Sequence, residues 1–228
     1  MEPMSERLVG ILLDSFWKIL LPGLTVTIPL TVIAFSLAMV IAVAAALVQF
    51  AGVPVVKQLC RFYIWVFRGT PLLVQLFVVF YGLPKLGLVI EPFPAAVLVF
   101  SLNEGAYCAE TIRAALESVP VGQLEAGYCV GMSWWQTMRR IILPQAMRTA
   151  FPSLSNGLIA MVKDTSLASN ITVAEMFMAM REIVAWSYEP LVLYIEVGLI
   201  YLIFSTVLTW LQGMGERKLG AYETAEVD

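Results

Sequence analysis

The feature that most constrains this sequence is the apolar run of residues 19–50, in which no Asp, Glu, Lys or Arg occurs. The hydrocarbon core of a bilayer is about 30 Å thick, and a helix of about 20 apolar residues crosses it. Pro22 and Pro29, near the start of the run, can begin or bend that helix. The chain of 228 residues is only 14% charged, against about 25% for a soluble domain. We therefore expect an integral membrane protein.

Further apolar runs indicate more spans. They lie at residues 62–83, 93–113, 149–162 and 191–211. Arg68-Gly69-Thr70-Pro71 interrupts the first of these four, and its proline predicts a kink. Before the first span, residues 4–18 carry apolar side chains at helical spacing beside charges, which is typical of an amphipathic helix at an interface. We predict an all-α membrane protein with five transmembrane helices. With no repeat or linker in the chain, residues 1–228 form one domain.

The distribution of basic residues predicts the orientation. With the N-terminus outside, nine Lys and Arg residues fall at or near the cytoplasmic side and four fall outside, in agreement with the positive-inside rule. The C-terminus and the polar loop of residues 117–147 are then cytoplasmic. Glu175, Arg181, Glu182 and Glu189 precede the last span, and we expect them on a solvated outer face or against a binding protein.

Several function classes lack their usual residues. The net charge is −3 and no basic run with aromatics occurs, which argues against nucleic acid as a partner. There is no His, and the three Cys form no C-x-x-C pair, so we expect neither a metal site nor a Cys-His nucleophile. No Gly-x-x-x-x-Gly-Lys-Ser/Thr loop is present to hold nucleotide phosphates. We expect no catalytic residue and no cofactor on this chain.

The cytoplasmic loop carries the signals of two helices joined by a turn. Ser118 can cap the first helix, and Gly131 suits the left-handed position after its end. Ser133 and Gln136 have the spacing of a capping box, which begins a second helix, and Pro144 ends that helix. The second helix has a bulky apolar side formed by Trp134, Trp135, Met138, Ile141 and Ile142. This side predicts docking into a groove of a partner, or else an interfacial helix.

Five short motifs occur in one order along the chain. They are Phe-Arg-Gly-Thr-Pro-Leu at 67–72, Asn-Glu-Gly-Ala-Tyr at 103–107, Glu-Thr-Ile-Arg at 110–113, Gly-Gln-x-Glu-Ala at 122–126 and Lys-Asp-Thr-Ser-Leu at 163–167. With these motifs the chain resembles permease subunits of the polar amino acid uptake family of ABC importers, which includes histidine, glutamine and cystine permeases. The resemblance implies a type I ABC importer permease fold in the bacterial cytoplasmic membrane.

The resemblance also implies roles for residues of the loop. In this family the loop is a coupling segment that docks onto the ATPase, and the matching positions here are Glu125, Ala126, Gly131, Ile141, Leu143 and Pro144. The family usually has Ala where this chain has Gly127. Glycine lowers helix propensity by up to about 1 kcal/mol, so the first helix is expected to be less stable here.

The family resemblance implies a set of partners. ATP hydrolysis, with ATP and Mg²⁺, is expected on two separate ATPase subunits. A second permease copy or a sister chain, and an extracytoplasmic amino acid binding protein, complete the expected assembly. Similarity around residues 68–84 and 135–145 favours L-cystine as the cargo.

Charged and polar residues within the apolar runs are candidates for the substrate pathway, because a charge near mid-bilayer costs about 2.5 to 3.5 kcal/mol without a partner or a function. The candidates are Asn103, Glu104, Lys163, Asp164, Thr165 and Ser166. The last four suit a helix interrupted in the membrane, where transporters often hold substrate. Alternatively, such charges pair to hold helices together, which we prefer for Glu110 and Arg113.

Two other functions stay open from the residues alone. An ion-coupled secondary amino acid transporter would use the membrane carboxylates but gives no reason for a capped helix pair in the cytoplasm. A membrane scaffold that transports nothing explains the coupling segment but leaves the buried charges without a role.

Overall fold

The computed structural model describes residues 4–51 and 54–220, and every regular element in those residues is helical. The α-helices are α1 (Met4–Pro22), α2 (Ile28–Ala51), α3 (Pro54–Gly69), α4 (Leu72–Phe77), α5 (Pro92–Ser118), α6 (Val121–Cys129), α7 (Trp134–Thr137), α8 (Leu143–Asp164), α9 (Met176–Ser187) and α10 (Pro190–Gly220). Wider π-helical turns lie at Gly23–Thr27, Val78–Gly82 and Met138–Ile142, and 3₁₀ turns at Leu83–Leu86 and Thr165–Ile171. The prediction of an all-helical protein is confirmed.

Two helices within the described ranges are long and apolar enough to cross a membrane, namely Glu6–Ala51 and Pro190–Leu219. A third span is formed if the bent pair Pro54–Gly69 and Leu72–Leu86 counts as one. The count of five spans and their orientation stay predictions.

The N-terminal helix is longer than the sequence pattern predicts. The amphipathic stretch of residues 4–18 is helical, but α1 continues through the π turn Gly23–Thr27 into α2 without a break. Pro22 has no N–H to donate. In the π turn that follows it, the Ile28 N–H donates to the Gly23 carbonyl, and the helical hydrogen bonding continues. Ile19 is fully buried in a cluster with Met176 and Met180, so this helix packs against α9.

The second apolar run is broken where the sequence predicts a kink. α3 ends at Gly69, α4 begins at Leu72, and the two directions differ by 105°. Pro71 cannot donate a backbone hydrogen bond to the Phe67 carbonyl, which instead accepts one from Asn103 Nδ2 at 3.2 Å. The helix therefore stops here with one of its last carbonyls satisfied by a side chain.

The chain divides into two compact units. The first unit comprises Met1–Phe35, Leu72–Phe100 and Leu158–Trp210, and the second comprises Ser36–Pro71, Ser101–Gly157 and Leu211–Asp228. Leu30, Leu76 and Phe100 lie in the core of the first unit. Ile112 and Leu116 are among the fully buried side chains of the second. The prediction of one domain over residues 1–228 stays a prediction.

Candidate functional site

The first helix of the coupling segment, α6, ends as the sequence predicts. Gly131 has a φ of +78°, a left-handed conformation that glycine adopts without steric cost. The Met132 N–H donates to the Gly127 carbonyl at 3.0 Å, and the Gly131 N–H to the Tyr128 carbonyl at 3.0 Å. These bonds satisfy carbonyls that a helix end leaves without partners. Gly131 therefore fixes a tight turn after α6.

The second helix begins with the predicted capping box. The Gln136 N–H donates to Ser133 Oγ at 3.3 Å, and the Ser133 N–H donates to Gln136 Oε1 at 2.8 Å. Two backbone donors at the helix start are thus satisfied reciprocally. The turn between α6 and α7 is fixed from both sides.

Two predicted boundaries of the segment are wrong. Ser118 does not cap α6: it is the last residue of α5, and its hydroxyl donates to the Ala115 carbonyl at 2.8 Å. Pro144 does not end the second helix, because the helix continues through the π turn Met138–Ile142 into α8. In that turn the Leu143 N–H bonds to the Met138 carbonyl. Proline has no N–H to donate, and the wider turn before it lets the helix continue without that hydrogen bond.

Gly127 lies at the contact between the two helices of the segment. A Cβ at this position would lie 2.5 Å from Thr137 Cγ2 and 2.6 Å from Thr137 Oγ1, far inside ordinary contact distance. The sequence suggests only a loss of helix propensity at Gly127. The structure shows that the missing side chain is what lets α6 approach α7 this closely.

The bulky apolar side of the second helix is used mainly within the chain. Met138 and Ile142 are buried, Trp134 and Ile141 are half-buried, and only Trp135 is exposed, with 57% of its surface accessible. The expectation that this whole side fits a partner's groove is therefore wrong. Four large apolar side chains of the segment are exposed, and we call them together the coupling face: Val121, Tyr128, Val130 and Trp135.

The predicted coupling residues divide by exposure. Glu125, Ala126, Gly131 and Pro144 are exposed, whereas Ile141 and Leu143 are half-buried. The first four are therefore available to a partner, and the last two mainly support the segment from within.

The first group of predicted substrate-pathway residues lies on α5 in the second unit. Asn103 is buried, and its Nδ2 donates to the Phe67 carbonyl at 3.2 Å. Glu104 is half-buried and accepts a hydrogen bond from Cys108 Sγ at 3.4 Å. Asn103 ties α5 to the end of α3, and Glu104 keeps part of its carboxylate surface accessible.

The second group lies in the first unit, where α8 ends at Asp164 and a 3₁₀ turn begins at Thr165. Lys163 and Asp164 are exposed. The hydroxyls of Thr165 and Ser166 donate to carbonyls three residues earlier, each at 2.7 Å. The change of helix type falls where the sequence predicts an interruption, and it leaves two opposite charges accessible side by side.

Glu110 and Arg113 form the structural pair that the sequence favours. Arg113 lies 2.9 Å from Glu110 and 2.7 Å from Glu117, and Arg68 lies 3.9 Å from Glu110. Among the residues that the structure describes, no group of three His, Cys, Asp or Glu side chains is arranged to hold a metal ion.

The expectation that Glu175 lies on a solvated outer face or against a binding protein is wrong. Its side chain is fully buried at the start of α9, where its carboxylate accepts hydrogen bonds from the N–H groups of Phe177 and Met178 at 2.8 and 2.7 Å. The Tyr201 hydroxyl donates a third, at 3.2 Å. Burial raises the pKa of Glu175 to about 7. The only sequence signal was an acidic residue directly before a helix.

A comparison with protein families decides between the functions left open. Residues 38–221 match the family described as binding-protein-dependent transport system inner membrane component. The chain belongs to that family. It is therefore a multi-pass inner membrane permease of an ABC importer, and neither an ion-coupled transporter nor a scaffold.

Individual relatives of this permease support the same family assignment. It is 48% identical over 210 residues to the L-cystine transport system permease protein TcyB of Bacillus subtilis (strain 168), covering 92% of this chain and 90% of that protein. It is 39% identical over 214 residues to TcyL of the same organism, also an L-cystine permease, covering 89% and 90%. A crystal structure of an amino acid ABC transporter with histidines superposes with a TM-score of 0.80 at 31% identity, covering 94% of this chain and 96% of that one.

Proposed function

We propose that this permease has five transmembrane helices, with the N-terminus outside and the C-terminus in the cytoplasm. α5 has 27 residues and α8 has 22. At about 1.5 Å per residue, each is long enough to cross a hydrocarbon core of about 30 Å. Their internal charges lower their hydropathy, which is why composition alone does not identify them as spans. The charge bias supports the orientation.

The coupling face is the proposed docking site for the ATPase, and it is the observation that carries the proposal. Four large apolar side chains are exposed on a segment whose turn is fixed by a capping box and by Gly131. Large apolar side chains that stay exposed on an ordered segment favour an interaction site. Glu125, Ala126 and Pro144 of the same segment are also exposed.

The continuous helix after the turn provides the mechanical link. Because Pro144 does not end the second helix, the coupling segment runs directly into α8, which ends at Asp164 beside Lys163. Closure of the ATPase would move the coupling segment and the start of α8 together as a rigid body. No covalent chemistry is required of the permease, and ATP and Mg²⁺ belong to its partners.

The assembly proposed has two ATPase subunits, a second permease copy or a sister chain, and an extracytoplasmic amino acid binding protein. L-cystine is the proposed cargo, since relatives at 48% and 39% identity are L-cystine permeases. An amino acid carries an ammonium and a carboxylate group. Glu104 is the proposed contact for an ammonium group, and Asn103, Lys163, Asp164, Thr165 and Ser166 are the further proposed pathway residues.

Uptake in proteoliposomes tests this function. The permease is reconstituted with its ATPase subunits, with binding protein and radiolabelled L-cystine on the outside and ATP inside. We expect ATP-dependent uptake, with unlabelled L-cystine the strongest competitor in a panel of amino acids. Uptake that persists without the ATPase would contradict the proposal. Full uptake by Glu104→Gln and Asp164→Asn, with intact assembly, would remove those two residues from the pathway.

A further inference from the structure

Helices α2, α3 and α5 line a cavity in the second unit that contains none of the proposed coupling or pathway residues. Its volume is about 320 Å³. Its polar and aromatic lining consists of Gln49, Arg61, Trp65, Arg68, Glu110 and Arg113. Three guanidinium groups thus face the same space as one carboxylate, and the lining has an excess of positive charge.

The arginines are not equally engaged. Arg113 is held by Glu110 at 2.9 Å and by Glu117 at 2.7 Å. Arg68 lies 3.9 Å from Glu110, a loose pair. Arg61 has no ion pair within the described part of the chain. At least one guanidinium with its full set of donors is therefore available to a ligand.

Gln49 gives a second, independent indication. Its side chain is 4% exposed, lines the cavity, and its Nε2 has no hydrogen-bond partner in the structure. Glu110 lies close enough to this amide to interact with it, but Nε2 has no contact of hydrogen-bond geometry, and the Glu110 carboxylate is already bonded to Arg113. A buried donor without an acceptor is costly and rare. The one carboxylate of the lining therefore does not satisfy this amide, and the positive charge of the cavity favours an anionic acceptor.

Trp65 indicates the depth of the cavity in the membrane. It lines the cavity and is 71% exposed. Exposed Trp is typical of the membrane interface, and basic pockets between transmembrane helices on the cytoplasmic side hold anionic headgroups. Under the proposed topology this end of α3 faces the cytoplasmic leaflet.

We propose that this cavity binds the phosphate of an anionic phospholipid headgroup. Arginine pairs with phosphate through two parallel N–H···O bonds. Arg61 and Arg68 would contact the phosphate oxygens, and Gln49 would donate to one of them. Trp65 would lie against the glycerol backbone at the interface.

Native mass spectrometry of the delipidated transporter complex, titrated with phosphatidylglycerol or phosphatidylcholine, tests the site. Each interfacial arginine contributes about fivefold to anionic lipid affinity. We expect tighter binding of phosphatidylglycerol, and about a fivefold loss of that affinity in Arg61→Gln. Arg217→Gln is the matched control, since Arg217 is an exposed arginine outside the cavity. Equal binding of the two lipids, or equal losses in the two variants, would overturn the proposal.

A second variant separates binding from folding. Gln49→Met keeps the size of the side chain and removes the unpartnered amide, so the Tm should be unchanged or higher while phosphatidylglycerol binding weakens. Unchanged lipid binding by Gln49→Met would overturn the assignment of the amide. A competition experiment with inorganic phosphate distinguishes a lipid from a free anion. Displacement of phosphatidylglycerol by millimolar phosphate would overturn the proposal and assign the cavity to a free anion. We expect no displacement.

Discussion

Two segments of the chain each join long helices through short ones: the coupling segment, α6 to α7, and the segment from Thr165 to Ser187. The two segments differ in which side chains they expose and which they bury. The coupling segment turns at Gly131 and exposes four large apolar side chains. The other segment turns at Thr172 and is followed by a turn at Tyr188; the φ values of these two residues are +63° and +59°. It buries Glu175 completely.

The helix starts show the same contrast. α6 begins after Pro120 without a side-chain cap, whereas α9 begins with both carboxylate oxygens of Glu175 bonded to its first N–H groups. The left-handed turns in and just after the second segment use non-glycine residues, which costs about 1–2 kcal/mol each and requires surrounding contacts to hold them. The second segment thus has a buried, fully bonded helix start, although it too exposes an aromatic side chain, Trp186. The coupling segment has no such cap and exposes four large apolar side chains.

Trp135→Ala should have the largest effect, because it removes a coupling-face side chain that has little packing to lose within the chain. Tryptophan is enriched among interface residues whose truncation costs about 2 kcal/mol or more, so we expect ATP-dependent uptake to fall at least about tenfold. Uptake in proteoliposomes and copurification of the ATPase measure this.

Trp210→Ala is its matched control. Trp210 is 61% exposed against 57% for Trp135, but it lies on α10, outside the coupling face. We expect its uptake to remain within about twofold of wild type. Similar losses in the two variants would show that the coupling face has no special role.

Gly127→Ala tests whether the coupling segment needs its close helix contact. The new Cβ would meet Thr137 at 2.5 Å, and overpacking of this kind costs about 1–3 kcal/mol. We expect a lower Tm and weaker ATPase binding. The double variant with Thr137→Ala should recover part of the Tm, because it removes both of the closest atoms. A single variant as stable as wild type would contradict the packing role of Gly127.

Glu175→Gln tests the buried helix start in the segment from Thr165 to Ser187, and it should have the smallest effect. Because burial raises the folded-state pKa of Glu175 to about 7, the folded state binds a proton more tightly than the unfolded state. Its contribution to stability is full below the ordinary value near 4.5 and is lost as the pH rises through about 7. We expect the wild-type Tm to rise by roughly 2–4 °C on lowering the pH from about 8 to about 5.

The comparison variant is Glu182→Gln, which removes an exposed carboxylate from the same helix. Glu175→Gln should lose most of the pH-dependent rise, whereas Glu182→Gln should keep it. Equal pH profiles in all three proteins would place the titrating group elsewhere.

The sequence predicts local features of these segments well. The capping box of Ser133 and Gln136 and the left-handed Gly131 each depend on a few neighbouring residues, and both are confirmed. The break at Pro71 is confirmed for the same reason, since proline limits its own backbone and that of its neighbour.

Features that depend on distant residues are not predicted. Pro144 has a helix-ending pattern, but a π turn before it lets the helix continue. Glu175 has the sequence pattern of a surface acid, but in the structure it bonds to Tyr201, which lies 26 residues later in the chain. The sequence predicts only low helix propensity at Gly127, whereas the structure shows its close contact with Thr137. Each of these requires the packing of one helix on another.

Hydrogen–deuterium exchange of the reconstituted permease, with and without its ATPase subunits, tests the central contrast most directly. We predict that ATPase binding slows exchange in peptides covering residues 121–137 and leaves residues 165–187 unchanged. Protection confined to residues 165–187, or no protection of residues 121–137, would contradict the assignment of the coupling face as the ATPase-docking surface.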